Sequence, residues 1–252
     1  WVKSPKGTIP ELVGIDEKKG KQIVVSALEQ GAARPFWLST TSVVDLFHHY
    51  GIRVVRSKSV MTAEDAVKTA EELGFPVVVK LISATITHKT EVGGVILDLR
   101  SQIEVEKAFI QIKDSLTNIG RENEMQGVIV QQMIPEGVEV IVGLTQDPSF
   151  GPLMMFGMGG MYTELFRDVT FRIHPLTDVD VQKMIRSVKA YQLLEGWRGS
   201  KPSDVKALEE LLLRVSAMIE DLPQIVELDL NPVKVLEQDK GYVVVDARVM
   251  VS

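Results

Sequence analysis

The chain has 252 residues, a formal net charge of −6 and no cysteine. That length can bury a substantial core as one large domain or two subdomains; the acidic balance gives no global basic field for nucleic acid, and the lack of cysteine excludes disulfides, thiolate zinc sites and cysteine nucleophiles. With 45% apolar and 25% charged residues, no membrane-length apolar run and no signal peptide, a soluble cytoplasmic protein without nucleic-acid or membrane partners is expected.

The chain opens on Trp1 rather than Met, from which a piece of a longer polypeptide is expected. Pro5, Gly7 and Pro10 punctuate an aperiodic stretch to Gly14 that reads as an arm. Asp16 is placed to cap a helix that Gly31 can end, with Ile23, Val24, Ala27 and Leu28 at helical spacing. Residues 1–36 are thus expected to form a linker arm and a docking helix. A second helix is expected from Thr40 to Gly51, with Val43, Val44 and Phe47 on one face, followed by a strand at Ile52–Val55. Thr62 begins a capping-box pattern with Asp65 in place of Glu, and its helix runs to Gly74. Phe75–Leu81 is a β-branched apolar run long enough for one buried strand, interrupted near its end by Lys80. Gly93 and Gly94 open a second apolar strand, and a helix spans about Ser101 to Leu116. Gly127–Ile134 reads as a strand, Pro135-Glu136-Gly137 as a turn, and Val138–Gly143 as a strand pairing with the first. Pro152–Phe156 is a short strand leading to the loop Gly157-Met158-Gly159-Gly160. Helices over about Asp178–Ala190 and Ser203–Leu222 precede two strands, Ile225–Pro232 and Tyr242–Asp246.

A lysine closing a buried strand is costly unless an anion meets it, and paired glycines let backbone amides approach a bound group. Lys80, His88, Gly93 and Gly94 around one strand–loop–strand unit therefore suggest phosphate chemistry. A surface lysine on an edge strand and a loop histidine bonded to backbone are the competing readings. Neutral imidazole can act as a nucleophile and carry a phosphoryl group. His48, His49 and His174 are expected to be structural, and the methionines to fill core. Period-2 alternation sends Glu227, Asp229 and Asn231 to one face of their strand and Val226, Leu228 and Leu230 to the other. If the strand ending at Asp246 lies alongside, Asp229, Asn231 and Asp246 form an all-oxygen set suited to Mg²⁺; a solvated polar sheet face is the alternative. The Gly159-Gly160 loop gains interest from Glu164, Arg167, Asp168 and Arg172 nearby, which could support phosphate and metal or simply pair as surface ions.

Taken together, Pro76-Val-Val-Val-Lys80, Ser83-x₄-His88-Lys-Thr-Glu-Val-Gly-Gly-Val95, Val138-Glu139-Val-Ile-Val-Gly143, Asp147-Pro-Ser-Phe-Gly-Pro152 and Glu227-Leu-Asp-Leu-Asn-Pro232 resemble one family. It is the ATP-grasp domain of the NDP-forming acyl-CoA synthetases (ADP-forming acetate–CoA ligases), relatives of the succinyl-CoA synthetase β-subunit. Leu194-Glu-Gly-Trp-Arg-Gly199 and Val244-Val-Asp-Ala-Arg248 also fit. The resemblance covers 37–252, and the helix before it resembles the segment joining this domain to an upstream CoA-binding half. It implies an α+β ATP-grasp fold: a linker helix, then subdomains of about 37–130 and 131–252 with nucleotide held between them. It further implies ATP or ADP and Mg²⁺ as cofactors. Lys80, with Gly93 and Gly94, would meet the nucleotide phosphates; Gln131, Gln132 and Met133 would form the hinge beside adenine; and Glu139 would sit near the ribose. Asn231 and Asp246, with Asp229, would hold Mg²⁺, and Gly159, Gly160, Glu164 and Asp168 would support a phosphate loop. His88 matches the histidine that receives the phosphoryl group. Relatives often carry glutamate where Gln132 stands, and Glu139 is then the carboxylate left to do that work. The implied reaction converts acyl-CoA, phosphate and ADP reversibly to acid, CoA and ATP. Its implied partner is a CoA-binding module, upstream in the same chain or on a separate α-subunit. Two other readings share the nucleotide site: a carboxylate–amine ATP-grasp ligase, with no need for His88, and an ATP-grasp-like regulatory module of a lysine acyltransferase, which could lose any of Lys80, His88, Asn231 and Asp246.

Overall fold

The computed structural model describes residues 7–31, 33–83, 85, 86, 88–160 and 168–252. They fall into two compact units: Val55–Ile134, and the residues up to Val54 together with Pro135–Ser252. No helix among the described residues is long and apolar enough to cross a membrane.

The chain begins in the larger unit with α1 (Glu17–Gln30), β1 (Phe36–Trp37) and α2 (Thr40–His49). Asp16 caps α1 by accepting the Lys19 amide, and Ser39 caps α2 by accepting that of Ser42. The apolar stripe of α1 is spent inside this unit: Val24 is buried in its core, with Ile23, Ala27 and Leu28 packed against it. The helix α1 therefore packs within the larger unit, whose first stretch runs to Val54 before the smaller unit begins at Val55. The buried face of α2 is Val43, Leu46 and Phe47, with Leu46 in the place expected for Val44. The strand expected at Ile52–Val55 reduces to a single bridge between Val54 and Val244.

The smaller unit contains β2 (Ser57–Val60), α3 (Ala63–Leu73), β3 (Val77–Ile82), β4 (Val95–Leu99), α4 (Gln102–Asn118) and β5 (Gly127–Gln132). Its four strands lie antiparallel in the order β2-β5-β3-β4. Thr62 caps α3 through the Asp65 amide, as its pattern requires. Val77, Val79 and Leu81 of β3 and Val128 and Val130 of β5 pack with Ala66, Ala70, Val105, Ala108, Ile112 and Leu116 of the two helices. β2 was not visible in the sequence because Ser57-Lys58-Ser59-Val60 buries only its last side chain; it exists because β5 offers it an edge.

β6 (Val138–Asp147) returns the chain to the larger unit, followed by β7 (Gly151–Met158), β8 (Val169–Ile173), α5 (Asp178–Arg186), α6 (Gln192–Glu195), α7 (Val205–Asp221), β9 (Ile225–Val235), β10 (Tyr242–Val244) and β11 (Ala247–Val251). Among the described residues these six strands and β1 form one seven-stranded antiparallel sheet, ordered β1-β11-β9-β6-β7-β8, with β10 also on β9. The expected hairpin between β5 and β6 is absent. β5 is already paired on both edges by β2 and β3, and β6 by β7 and β9, so residues 135–137 carry the chain from one unit to the other. One sheet face, with Val142, Met154, Phe156, Leu228, Leu230 and Val233, is buried with Leu208, Leu211, Leu212 and Val215 of α7. Met154 and Met158 fill that core as expected. The helix expected over Asp178–Ala190 stops at Arg186, and a separate turn of helix resumes at Gln192.

Candidate functional site

In the smaller unit β3 is flanked by β4 and β5, so Lys80 belongs to a central strand and the edge-strand reading is set aside. Lys80 lies opposite Val95 and Ile129 and alternates with Val79 and Leu81, which face the helices, leaving its ammonium on the other face. The loop beyond is pinned at both ends. Ser83 Oγ accepts the Ile86 amide at 3.2 Å, and Ile86 itself is buried in the unit's core. At the far end the Gly94 amide donates to the Lys89 carbonyl and the Leu81 amide to the Gly94 carbonyl, both at 2.7 Å. A Cβ on Gly94 would lie 2.9 Å from that Lys89 oxygen and 3.0 Å from the Leu81 side chain, so closure beside Lys80 demands glycine. His88 stands between the two pins with 79% of its side chain exposed, Nδ1 lying 3.9 Å from the Glu91 carboxylate on the same turn. Its carbonyl, rather than its ring, makes the turn's bond, accepting from the Glu91 amide at 3.2 Å.

The same loop is tied sideways. Thr85 Oγ1 donates to Glu124, whose carboxylate also receives two Arg121 nitrogens at 2.7 Å each. The Arg121 guanidinium, helped by Thr85, holds the Glu124 carboxyl down to about 2. Gln131 and Gln132 end β5, Gln131 buried and Gln132 half-buried. The amides of Gln132 and Met133 donate to the carbonyls of Arg56 and Pro76, each at 3.0 Å, so this unit already uses both donors expected beside a base.

In the larger unit Glu139 on β6 lies opposite Lys234 on β9, with Nζ to Oε1 at 3.8 Å. Its carbonyl accepts the Gly159 amide at 2.7 Å, and a Cβ on Gly159 would come within 2.9 Å of the Glu139 backbone. Glu139, Gly159 and Gly160 thus line one cavity of about 370 Å³. Asp168 has a different task from the expected phosphate support: it is 4% exposed, and its two oxygens accept the Lys189 and Ala190 amides at 2.8 and 2.9 Å. Glu164 and Arg167 lie outside the described residues. Arg172 donates to the Phe171 carbonyl at 2.8 Å.

The acidic strand behaves as its alternation implies over four residues, with Leu228 and Leu230 buried, Asp229 half-buried and Asn231 exposed. A bulge near Val226 reverses the pattern before that, so Ile225 rather than Val226 joins the core. Paired residues across the sheet read Phe171, Met155, Gly143, Asp229, Arg248. The Asn231 amide donates to the Asp246 carbonyl at 3.1 Å, which places those two side by side. Burial pushes the Asp229 carboxyl up, the neighbouring Arg248 pulls it back, and Asp246 and Glu227 add to the rise. The donors gathered here are two carboxylates and an amide, all hard oxygen, which fits a cation that keeps water and phosphate in its shell. Among the described residues no three or more His, Cys, Asp or Glu could hold a metal by themselves. Residues that sequence reasoning missed are Lys234 and Arg248; the signal for Arg248 was its period-2 spacing from Asp246. His174 is structural as expected, its Nε2 2.9 Å from Glu220 and its Nδ1 3.2 Å from Ser216.

The expected residues therefore form two groups, Lys80 through Met133 in the smaller unit and Glu139 through Asp246 in the larger. A family model described as an ATP-grasp domain matches residues 28–251. The beta subunit of ADP-forming acetate–CoA ligase II from Pyrococcus furiosus is 43% identical over 204 residues, covering 81% of this chain and 86% of that one. ADP-forming acetate–CoA ligase I from Archaeoglobus fulgidus is 41% identical over 240 residues, 95% of this chain but 34% of the relative, so the chain spans about a third of that protein's length. A solved acetyl-coenzyme A synthetase 1 from Ca. Korarchaeum cryptofilum, in complex with coenzyme A and Ca-AMPCP, matches with a TM-score of 0.82 and 40% identity over 92% of this chain and 100% of that one. The same enzyme with coenzyme A and Mg-AMPPCP, its phosphohistidine segment pointing towards the nucleotide-binding site, matches with a TM-score of 0.77 and 39% identity over the same shares.

Proposed function

The chain belongs to the ATP-grasp family, and from that premise we propose that it is the nucleotide-binding, phosphoryl-transferring part of an ADP-forming acid–CoA ligase. The observation that carries this reading is His88: an imidazole 79% exposed on a loop pinned beside Lys80. A carboxylate–amine ligase has no use for such a group, whereas a relay through phosphohistidine needs it open to an incoming donor.

The complete reaction is acyl-CoA + phosphate + ADP in exchange for acid + CoA + ATP. Acyl-CoA and phosphate react on a CoA-binding partner module, which presents a phosphoryl group to this chain. A neutral nitrogen of His88 attacks phosphorus, the bond to the donor breaks, and a β-phosphate oxygen of ADP then takes the group from His88 to give ATP. Lys80 contributes a fixed positive charge to the phosphates. Glu139 accepts from ribose hydroxyls, and its pairing with Lys234 keeps the carboxylate in place. Asp229, Asn231 and Asp246 are the residues that hold Mg²⁺, which supplies charge neutralisation to the phosphates when bound. The relatives' nucleotide analogues with Ca²⁺ or Mg²⁺ support this choice of cofactor, and a cytoplasmic location goes with it.

Calorimetry tests the reading directly. Mg-ADP and Mg-ATP are expected to bind this chain, and the chain is expected to lack overall turnover until the CoA-binding module is added. No heat of binding at millimolar nucleotide with Mg²⁺ present would overturn it.

A further inference from the structure

The loop from Gly196 to Ser200, between α6 and α7, has no part in the reading above. It is held in an unusual shape. Arg198 sits at φ 52°, in the left-handed region that non-glycine residues seldom enter, with Gly196 at 95° and Gly199 at 90° beside it. The Trp197 amide donates to Ser200 Oγ at 2.9 Å, and that hydroxyl donates back to the Trp197 carbonyl at 2.8 Å. What this geometry achieves is exposure: Trp197 keeps 49% of its surface in solvent, while the Arg198 guanidinium lies over the indole, 5.9 Å from the ring centroid. A cation over one face restrains the ring, and about half of the residue stays open to solvent.

Trp197 and Ser200 line the same cavity of about 370 Å³ as Glu139, Met158, Gly159 and Gly160. That cavity offers a carboxylate to accept hydroxyls, a glycine turn for close backbone approach, and an apolar wall of thioether and indole. Hydroxyls and a flat, weakly polar ring together are the chemistry of a nucleoside, and the volume lies within the range of small-ligand sites. We propose that Trp197 packs its indole against the nucleoside part of the bound ADP or ATP, with Arg198 and Ser200 holding the ring in position. This rests on the nucleotide reading above and adds to it a recognition residue that discriminates a nucleotide from bare polyphosphate.

Three tryptophans are present, Trp1, Trp37 and Trp197, so a Trp1→Phe, Trp37→Phe variant of the chain leaves Trp197 as the only indole reporter. Titration with Mg-ADP is expected to quench its emission saturably, with the same midpoint that calorimetry gives. Trp197→Ala is expected to raise the Kd for Mg-ADP about tenfold, the size of one base–aromatic stack, while Trp197→Phe keeps most of the affinity and neither variant lowers Tm. Emission indifferent to a nucleotide that calorimetry shows to be bound, or an unchanged Kd in Trp197→Ala, would sink this inference and leave the nucleotide reading intact. If the unaltered chain gives no heat with Mg-ADP, the nucleotide reading itself fails and the inference falls with it.

Discussion

The two units present their candidate residues in opposite ways. In the smaller one His88, the side chain proposed to react, rides on a loop that leaves a buried strand and is fastened at Ser83–Ile86 and again at Lys89–Gly94. In the larger one Asp229 and Asn231 belong to a strand with partners on both sides, and Asp246 immediately precedes another. A group that must meet an incoming donor is served by exposure; ligands that must hold one geometry are served by a sheet whose backbone is locked by its neighbours. Lys80 follows the second pattern although it sits in the smaller unit, as suits a residue proposed to anchor phosphate.

The sharpest test of that contrast is His88→Ala. In the enzyme completed with its CoA-binding module, turnover should fall by about a thousandfold or more, and acid-labile label from ATP should vanish, with Mg-ADP affinity by calorimetry unchanged. Turnover at the level of the unaltered enzyme would remove the loop from the chemistry. Lys80→Ala should act on the other quantity, weakening Mg-ADP binding roughly 10- to 100-fold, as loss of a charge-assisted bond to phosphate implies; an unchanged Kd would break the comparison at its anchor.

Asn231→Ala and Asp246→Ala should have a smaller, conditional effect. The gain in nucleotide affinity on adding Mg²⁺ should shrink, while affinity in EDTA stays as it was. Equal Mg²⁺ dependence in variant and parent would show that the oxygen cluster is only a polar sheet face. The least effect concerns the loop's sideways tether. The Glu124 carboxyl is held down to about 2 from its ordinary 4.5, so its stabilising contribution is present above pH 4.5 and is lost as pH falls through about 2. Because that side chain is only half-buried and solvent screens its pair with Arg121, the effect on stability should be slight. Glu124→Gln should flatten this part of the acid limb in urea unfolding followed by circular dichroism; an acid limb identical to the parent's would mean the tether contributes nothing.

Much of this chain is decided within a few residues of sequence. The alternation of Leu228, Asp229, Leu230 and Asn231 survives in the sheet because side chains on a strand must take opposite faces. Asp16 and Thr62 cap their helices because a short oxygen-bearing side chain satisfies an amide three residues on. The motifs from Pro76 to Val95 and from Glu227 to Pro232 were among those that named the ATP-grasp fold from sequence. Pairing and membership were not local matters. β6 turns away from β5 because every edge of β5 was filled, β2 forms on an edge that its own polar sequence does not announce, and α1 joins the later unit because its apolar stripe finds cover there. Asp168 looks from its position like support for a phosphate loop, yet two distant amides take both of its oxygens. Trp197 is no more than one letter of a motif until folding sets it beside Glu139. Periodicity and capping are written in neighbouring side chains, whereas which edge is covered, and which polar group is satisfied by which, depends on surfaces that exist only once the rest of the chain has folded.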